Sequence, residues 1–339
     1  MTGRGALAGA LLCALWLFAC ARSDAPSGRS APGEVRISIP ANAATDIVSS
    51  WRPVLADMSR QTGLQVTPFF SADPRRLVAV MKSKQIDVGL FSNGAGLEAV
   101  SRAGGQVFAR TFAGGGPVGH VSVLIVGARS RITLEAVSRC NRRLTFSMGE
   151  PLSTSGSLAP LAYLFAARGI DPATCFRQVR KGADHQANLL AVTAGRVDVA
   201  TSDSAFLDLE RLAGSREAGE VRVIWRSPLL PEDPLIWRRD LDPAIKEKLR
   251  QFFLTYGQGD SALAARQRAD LARLGFGGFR PADDSHLLPV REMEASAQWL
   301  EARRSRDPAR IAAAARTLEA IRTDRVALEA RTRTPAAAQ

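Results

Sequence analysis

The chain has 339 residues, enough for two domains, and its 46% hydrophobic content excludes a chain dominated by disorder. The formal net charge is +12, but the basic residues do not form runs interleaved with aromatic residues, as a single-strand nucleic-acid platform requires. Nucleic acid is therefore not expected as a partner, whereas a basic surface can still attract small anions.

The N-terminal segment is typical of an export signal followed by a flexible leash. Arg4 precedes an apolar stretch over residues 6–18 that is too short to span a bilayer. The tetrad Leu17-Phe18-Ala19-Cys20 resembles a bacterial lipobox, which implies a signal peptide over 1–19 and a lipid on Cys20. Residues 20–33 then form the leash. Alternatively Cys20 is incidental and cleavage falls at a nearby small residue; either way the folded part is exported.

Two cysteines, Cys140 and Cys175, remain in the folded part of the chain. An oxidising compartment favours a disulfide between them, although two buried free thiols agree equally well with the sequence. Spacing alone does not place two cysteines within bonding distance.

Strand and helix patterns alternate after the leash, which predicts an α/β fold with mostly parallel sheets. Two stretches echo each other, KSKQIDVGLFSNG and TAGRVDVATSDS, and each ends a short buried strand in a polar turn. We therefore predict a two-lobed chain with ligand-binding loops at the strand ends. The predicted boundaries are 34–117 with 228–290 for lobe 1, and 118–227 for lobe 2.

The last part of the chain, residues 291–339, has a helical pattern rich in alanine, arginine and glutamate with weak apolar periodicity. Such a tail is typical either of an arm through which two copies form a homodimer or of a solvated helix. The sequence leaves both open.

The stretch GEPLSTSGSLAP places Ser153, Thr154, Ser155 and Gly156 before an apolar helical run. A helix N-terminus exposes unpaired N–H groups and favours anions, and the hydroxyls add side-chain donors. A plain helix cap needs only one hydroxyl. The cluster therefore predicts a site for a tetrahedral oxyanion, with helix capping as the alternative.

An enzyme is the less favoured interpretation of the same residues. Ser155 lacks the glycine that a G-x-S-x-G nucleophile elbow requires two positions earlier, where Ser153 stands. The sequence contains neither an H-x-x-x-H nor a C-x-x-C pair, so we expect no metal and no cofactor. A serine hydrolase would need a triad assembled in space from Ser155, His185 and an aspartate.

Several motifs together resemble the phosphonate-binding proteins of ABC importers, within the phosphate, phosphite and phosphonate receptors. The resemblance extends over about residues 35–291. The motifs are FFSADP, EAVSRAGGQVFA, SVLIV, LTFSMGEPLSTSG, HQAN, VDVAT and VIWRSPLLPEDPLIWRRDL.

The resemblance implies a type II periplasmic-binding fold that closes on a phosphonate, phosphite or phosphate and delivers it to an ABC permease and its ATPase. It implies that Ser153, Thr154 and Ser155 form the oxyanion loop and that His185 is a further donor. Asp233 matches the carboxylate that binds the ligand's ammonium group in aminophosphonate-binding members. Alternatively, His185 is a surface histidine on the helix after Lys181, and Asp233 is a turn residue between prolines.

The chain departs from the family at three positions. Pro74 and His120 stand where tyrosines are common, and Ala205 stands where aminophosphonate binders have glutamate. 2-Aminoethylphosphonate is therefore a doubtful ligand. His120 either replaces a phenol as a donor, which would make binding depend on pH, or only fills space between the lobes.

The expected protein is thus a lipid-anchored receptor in the periplasm that binds without covalent chemistry. A periplasmic anion sensor that reports to a signalling partner is the alternative binding function.

Overall fold

The computed structural model describes residues 33–41, 47–114 and 119–333. The predicted signal peptide and the lipidation site Cys20 lie outside these residues. In the part of the chain that is described, no helix has both the length and the apolar character needed to cross a membrane.

The strands form two sheets, which we call lobe 1 and lobe 2 together with the helices packed on each. Lobe 1 has six strands in the order β11-β4-β10-β3-β1-β2: β1 Glu34–Pro40, β2 Gln65–Ser71, β3 Val88–Leu90, β4 Gly105–Ala113, β10 Pro234–Arg238 and β11 Phe276–Pro281. Lobe 2 has five strands in the order β7-β6-β8-β5-β9: β5 Ser122–Gly127, β6 Thr145–Gly149, β7 Gln178–Ala183, β8 Val199–Asp203 and β9 Val221–Arg226.

Helices alternate with these strands, which confirms the predicted α/β class. The α-helices are α1 Ile47–Thr62, α2 Pro74–Lys82, α3 Asn93–Arg102, α4 Leu134–Ser138, α5 Pro172–Cys175, α6 His185–Thr193, α7 Ser204–Leu212, α8 Arg216–Gly219, α9 Pro243–Thr255, α10 Ala262–Arg273, α11 Leu288–Arg304 and α12 Pro308–Arg333. A further helix, here the STSG helix, consists of wide π-type turns over Thr154–Leu158 and Pro160–Phe165 and a last tight turn over Ala166–Arg168.

The sheets are mixed, and the expectation of mostly parallel sheets is wrong in this detail. β1 is parallel to β2 and β3, and β6 is parallel to β7 and β8. The strands that follow a crossing between lobes, β5 and β10, run antiparallel to their neighbours. The reason is geometric, because each of them starts at the edge where the parallel strands end.

The C-terminal tail forms two helices, α11 and α12, rather than one long helix. The chain turns at Arg306, whose φ of 56° is incompatible with continued helix. α12 packs back on α11, where Arg322 and Arg325 pair with Glu292. Before this tail, β11 forms a strand that the sequence analysis did not predict.

Cys140 and Cys175 are joined by a disulfide in lobe 2, with their Cα atoms 4.1 Å apart. The bond connects the end of α4 to the end of α5 across 35 positions of sequence. Both residues border the apolar cluster that includes Phe146, Phe165 and Phe176.

Replacing both cysteines by alanine should lower the free energy of unfolding by about 3 to 4 kcal/mol, because a closed loop of this length restricts the unfolded chain. Denaturant unfolding with and without a reductant measures the effect. Reductant should shift the midpoint of the natural chain and leave that of Cys140→Ala/Cys175→Ala unchanged. Equal midpoints for the two proteins without reductant would contradict a stabilising bond.

Candidate functional site

The three hydroxyl residues lie where β6 ends and the STSG helix begins. Ser153 caps this helix, since its Oγ accepts a hydrogen bond from the Gly156 N–H at 3.0 Å. Thr154 and Ser155 occupy the first turn and are 4% and 5% exposed. The helix-capping alternative is therefore realised by Ser153 alone, which leaves two further hydroxyls at the positive end of the helix for another purpose.

The glycine of the motif is required by close packing. A Cβ atom on Gly156 would lie 2.7 Å from Ser153 Oγ and 3.0 Å from the Cα of Gly149. The backbones of β6 and of the first helical turn are thus in direct contact, and this contact fixes the position of the hydroxyl cluster relative to the sheet.

Two neighbouring strands anchor the same turn through side chains that the sequence analysis did not identify. Ser122 Oγ donates to the Ser155 carbonyl at 2.5 Å, and Thr201 Oγ1 donates to the Gly156 carbonyl at 2.8 Å. Thr201 Oγ1 also accepts from the Gly149 N–H at 3.2 Å. The first carbonyls of the turn are therefore bonded within lobe 2, and the turn is held before any ligand arrives.

His185 lies beside this turn, as the resemblance implies. It is the first residue of α6, and its Nε2 is 3.1 Å from Ser155 Oγ. Burial lowers the pKa of His185, an effect that the nearby carboxylates of Asp203 and Asp184 oppose and that His120 reinforces. The ring is therefore neutral at pH 7 and offers one N–H donor rather than a fixed charge.

The Ser155–His185 contact has the distance of a nucleophile–base pair, so the hydrolase interpretation has to be tested on it. A triad also needs a group that orients the histidine. His185 Nδ1 is buried and has no hydrogen-bond partner among the described residues. The third member of a triad is thus not found in the part of the chain that the structure describes.

A carboxylate that the sequence analysis missed, Asp203, lies close to His120. Asp203 ends β8 and caps α7, since its Oδ1 accepts from the N–H groups of Ala205 and Phe206 at 2.8 and 3.1 Å. Its other oxygen is 3.6 Å from His120 Nε2. Asp203 therefore places a fixed carboxylate only two positions before Ala205, where the family's glutamate is absent.

Asp233 lies in the segment that crosses from β9 of lobe 2 to β10 of lobe 1, just before β10. Its Oδ1 is 3.4 Å from Asn93 Nδ2, whose stronger bond, at 2.7 Å, goes to the Pro231 carbonyl. The pKa of Asp233 is raised to about 7, mainly by burial; Glu232 and Asp203 contribute to the rise and His120 opposes it. Asp233 can thus change its charge near neutral pH.

The remaining departures have simple structural roles. Pro74 is the first residue of α2, where a missing N–H costs little, and Asp73 caps that helix. Ala205 lies in the first turn of α7. Neither residue supplies a polar side chain, in agreement with the sequence.

A cavity of about 690 Å³ lies elsewhere, between the crossing residues 228–232 and the C-terminal helices, and Ser153, Ser155 and His185 do not line it. Among the described residues no cluster of histidine, cysteine, aspartate or glutamate could hold a metal ion. The candidate site is instead the group of polar residues around the STSG turn, where Ser155 contacts His185 and where His120, Asp203 and Asp233 act on one another electrostatically. We call this place between the lobes the cleft.

Comparisons with known sequences and structures match this chain to one class of protein. The profile of a family described as "ABC transporter, phosphonate, periplasmic substrate-binding protein" matches residues 37–287. The phosphonates-binding periplasmic protein of Escherichia coli (strain K12) is 39% identical over 244 residues, which cover 72% of this chain and 70% of that protein.

Two further matches extend the comparison. The phosphate-import protein PhnD of Mycolicibacterium smegmatis is 24% identical over 260 residues, covering 71% of this chain and 78% of its own length. The crystal structure of a binding-protein component of an ABC phosphonate transporter from Pseudomonas aeruginosa superposes with a TM-score of 0.77 at 36% identity, covering 88% of this chain and 97% of that one. The chain therefore belongs to the family of periplasmic substrate-binding proteins of phosphonate ABC transporters.

Proposed function

We propose that this protein captures a phosphonate, or a related phosphite or phosphate, in the cleft between its lobes and delivers it to an ABC permease driven by its ATPase. The observation that carries the proposal is the hydroxyl cluster at the N-terminus of the STSG helix, with His185 Nε2 3.1 Å from Ser155 Oγ. Neutral donors of this kind bind an oxyanion without a permanent positive charge at the site.

The number of donors is sufficient for a physiologically useful affinity. Hydrogen bonds to a charged group contribute about 1.5 to 3 kcal/mol each. Four of them, from Ser153, Thr154, Ser155 and His185, approach the roughly 8 kcal/mol of micromolar binding once ordering costs are subtracted. Fixing the turn through Ser122 and Thr201 reduces those ordering costs.

The rest of the cleft selects among oxyanions. Asp203 and Asp233 bring two carboxyl groups to the cleft. His120 lies beside Asp203 and lowers the pKa of Asp233, which burial, Glu232 and Asp203 raise. Two carboxyl groups repel a bare oxyanion and attract a cation, so we infer that the ligand carries an ammonium group or another hydrogen-bond donor beside its phosphonate.

This inference modifies the expectation from Ala205. The lost glutamate argues against 2-aminoethylphosphonate, but Asp203 supplies a second carboxylate from two positions earlier. The shorter side chain is fixed by its capping bonds to α7, and it lies beside His120 instead of a phenol. These differences favour an aminophosphonate whose bound ammonium group lies nearer to β8 than a glutamate at position 205 would place it.

Isothermal titration calorimetry against phosphate, phosphite, methylphosphonate and 2-aminoethylphosphonate tests the proposal. We expect stoichiometric binding without turnover, and the tightest binding for 2-aminoethylphosphonate because it alone pairs with both carboxylates. Sulfate serves as the control oxyanion. Failure of all four compounds to bind would overturn the proposed function.

The family is one of periplasmic proteins that serve membrane permeases. We further propose that Cys20 carries a lipid that anchors the protein to a membrane, which mass spectrometry of the purified protein would detect. A homodimer through the C-terminal tail also stays a prediction. In the structure the buried side of α12, with Leu318 6% exposed, packs on α11 of its own chain.

A further inference from the structure

The two lobes are in direct contact beside the candidate site, through backbone and hydroxyl groups. The Gly94 N–H, in the first turn of α3 in lobe 1, donates to Thr154 Oγ1 of lobe 2 at 3.2 Å. Two positions earlier in each segment, Ser92 Oγ of lobe 1 lies 3.4 Å from the Leu152 carbonyl oxygen of lobe 2. Thr154 therefore belongs to the hydroxyl cluster and also accepts a hydrogen bond from the opposite lobe.

The first turn of α3 is completed by this contact. Ser92 is the N-cap residue of α3, but its side chain makes no capping hydrogen bond within its own helix. An N–H group of a first helical turn has no partner inside the helix. At Gly94 the partner is Thr154, so closure of the cleft satisfies a group that an open cleft leaves to water.

The contact also requires glycine at position 94 for steric reasons. A Cβ atom on Gly94 would lie 2.2 Å from the Leu152 carbonyl oxygen and 2.9 Å from Leu158 Cδ1. The first of these is a backbone atom, which cannot rotate away. The φ of Gly94 is not positive, so alanine fits the backbone of α3 itself and is the better helix former there.

An ion pair at the same edge of the cleft connects the lobes a second time. Arg75 Nη2 of lobe 1 is 3.4 Å from Glu150 Oε2, in the loop that precedes the STSG helix. Arg75 is largely exposed, so this pair contributes little to closure. The buried Gly94–Thr154 contact is therefore the more important of the two.

We propose that Gly94 is a positioning residue for ligand capture, acting with Thr154 as a latch that holds lobe 1 against the oxyanion turn. This inference rests on the proposed capture of a ligand by closure of the lobes. It assigns Thr154 a role in closure as well as in ligand binding, and it makes the absence of a side chain at position 94 a condition for the closed state.

Gly94→Ala tests the proposal, because this change adds one methyl group at the lobe contact and removes no polar group. We expect ligand affinity in calorimetry, with 2-aminoethylphosphonate and methylphosphonate as probes, to fall at least about tenfold. Small-angle X-ray scattering should show that the ligand reduces the radius of gyration of the natural protein and not that of the variant. Gly219→Ala is the matched control, since a Cβ at that helical glycine meets nothing within 4 Å.

A second pair of variants keeps the test decisive if Gly94→Ala folds poorly. Thr154→Val removes the acceptor and should weaken binding and compaction, whereas Thr154→Ser keeps the hydroxyl and should restore both. Natural affinity and compaction in Gly94→Ala would overturn the latch and leave the proposed function intact. If the natural protein binds neither probe, the test is repeated with phosphate and phosphite, and failure of all four compounds to bind would overturn both the latch and the proposed function.

Discussion

Replacing Ser155 by alanine should weaken phosphonate binding by about one to two orders of magnitude. The hydroxyl group is buried at a helix N-terminus, 3.1 Å from His185 Nε2. A hydrogen bond to a charged ligand contributes about 1.5 to 3 kcal/mol, which corresponds to a factor of roughly 10 to 150 in Kd. Calorimetry with the tightest ligand of the panel measures the change directly.

The control is Ser138→Ala, which removes another lobe 2 hydroxyl. Ser138 Oγ donates to the Leu134 carbonyl within α4, and the site residues make no hydrogen bond to it. The control should bind like the natural protein. If Ser155→Ala also keeps its affinity, the hydroxyl cluster is a structural cap and the site must be placed elsewhere.

A double-mutant cycle separates two roles of His185. If Ser155 and His185 act on the ligand as one unit, His185→Ala should cost nearly as much as the double variant, and the two losses should not add. Additive losses would show that the two side chains contact the ligand independently. The cycle therefore refines the geometry of the oxyanion site without depending on the identity of the ligand.

Local patterns were sufficient to predict the α/β class and the helix that begins at the hydroxyl cluster. Alternating spacing identifies β1, which buries Val35, Ile37 and Ile39, and helical spacing identifies α1, which buries Trp51, Val54 and Met58. The hydroxyl cluster stood out because Ser153 alone satisfies the capping requirement of the helix, so that Thr154 and Ser155 need another explanation.

The missed features depend on contacts between segments far apart in the chain. Asp203 looks like an ordinary helix cap in sequence, and it is one; only the fold shows that its second oxygen faces His120, 83 positions earlier in the chain. Likewise, the glycine at position 94 has no unusual φ that a turn motif would reveal, and its reason is the backbone of Leu152 in the other lobe.

The mixed sheets and β11 were missed for a related reason. Strand direction follows from where the chain enters a sheet, and β5 and β10 enter at the cleft edge after a crossing. β11 contains Gly277 and Gly278, which weaken a strand pattern in sequence. Its pairing with β4 supplies the hydrogen bonds and apolar contacts that the local sequence does not predict.

Ligand choice should depend on pH through Asp233, with opposite signs for two ligands. Burial raises the pKa of Asp233 to about 7 from an ordinary value of 3.8. An ammonium-bearing ligand prefers the ionised carboxylate and lowers this pKa, so its binding releases a proton and becomes tighter as pH rises toward 7. Methylphosphonate is repelled by the same charge, so it gains nothing from the ionisation and binds relatively better at low pH.

The measurement is the ratio of the Kd of methylphosphonate to that of 2-aminoethylphosphonate, in calorimetric titrations between about pH 5.5 and 7.5. The titration of each ligand's own phosphonate group is the same for the natural protein and for the variant Asp233→Asn, so it cancels when the two proteins are compared. Relative to this variant, we expect the ratio of the natural protein to increase by about an order of magnitude, the limit being tenfold per pH unit. His120, Asp203 and Glu232 also act electrostatically on Asp233, and the titratable ring of His185 lies nearby; their common effect persists in the variant Asp233→Asn. The variant should show only the pH dependence that comes from the ligands and from these other groups. A ratio that changes equally with pH in both proteins would contradict selection by Asp233.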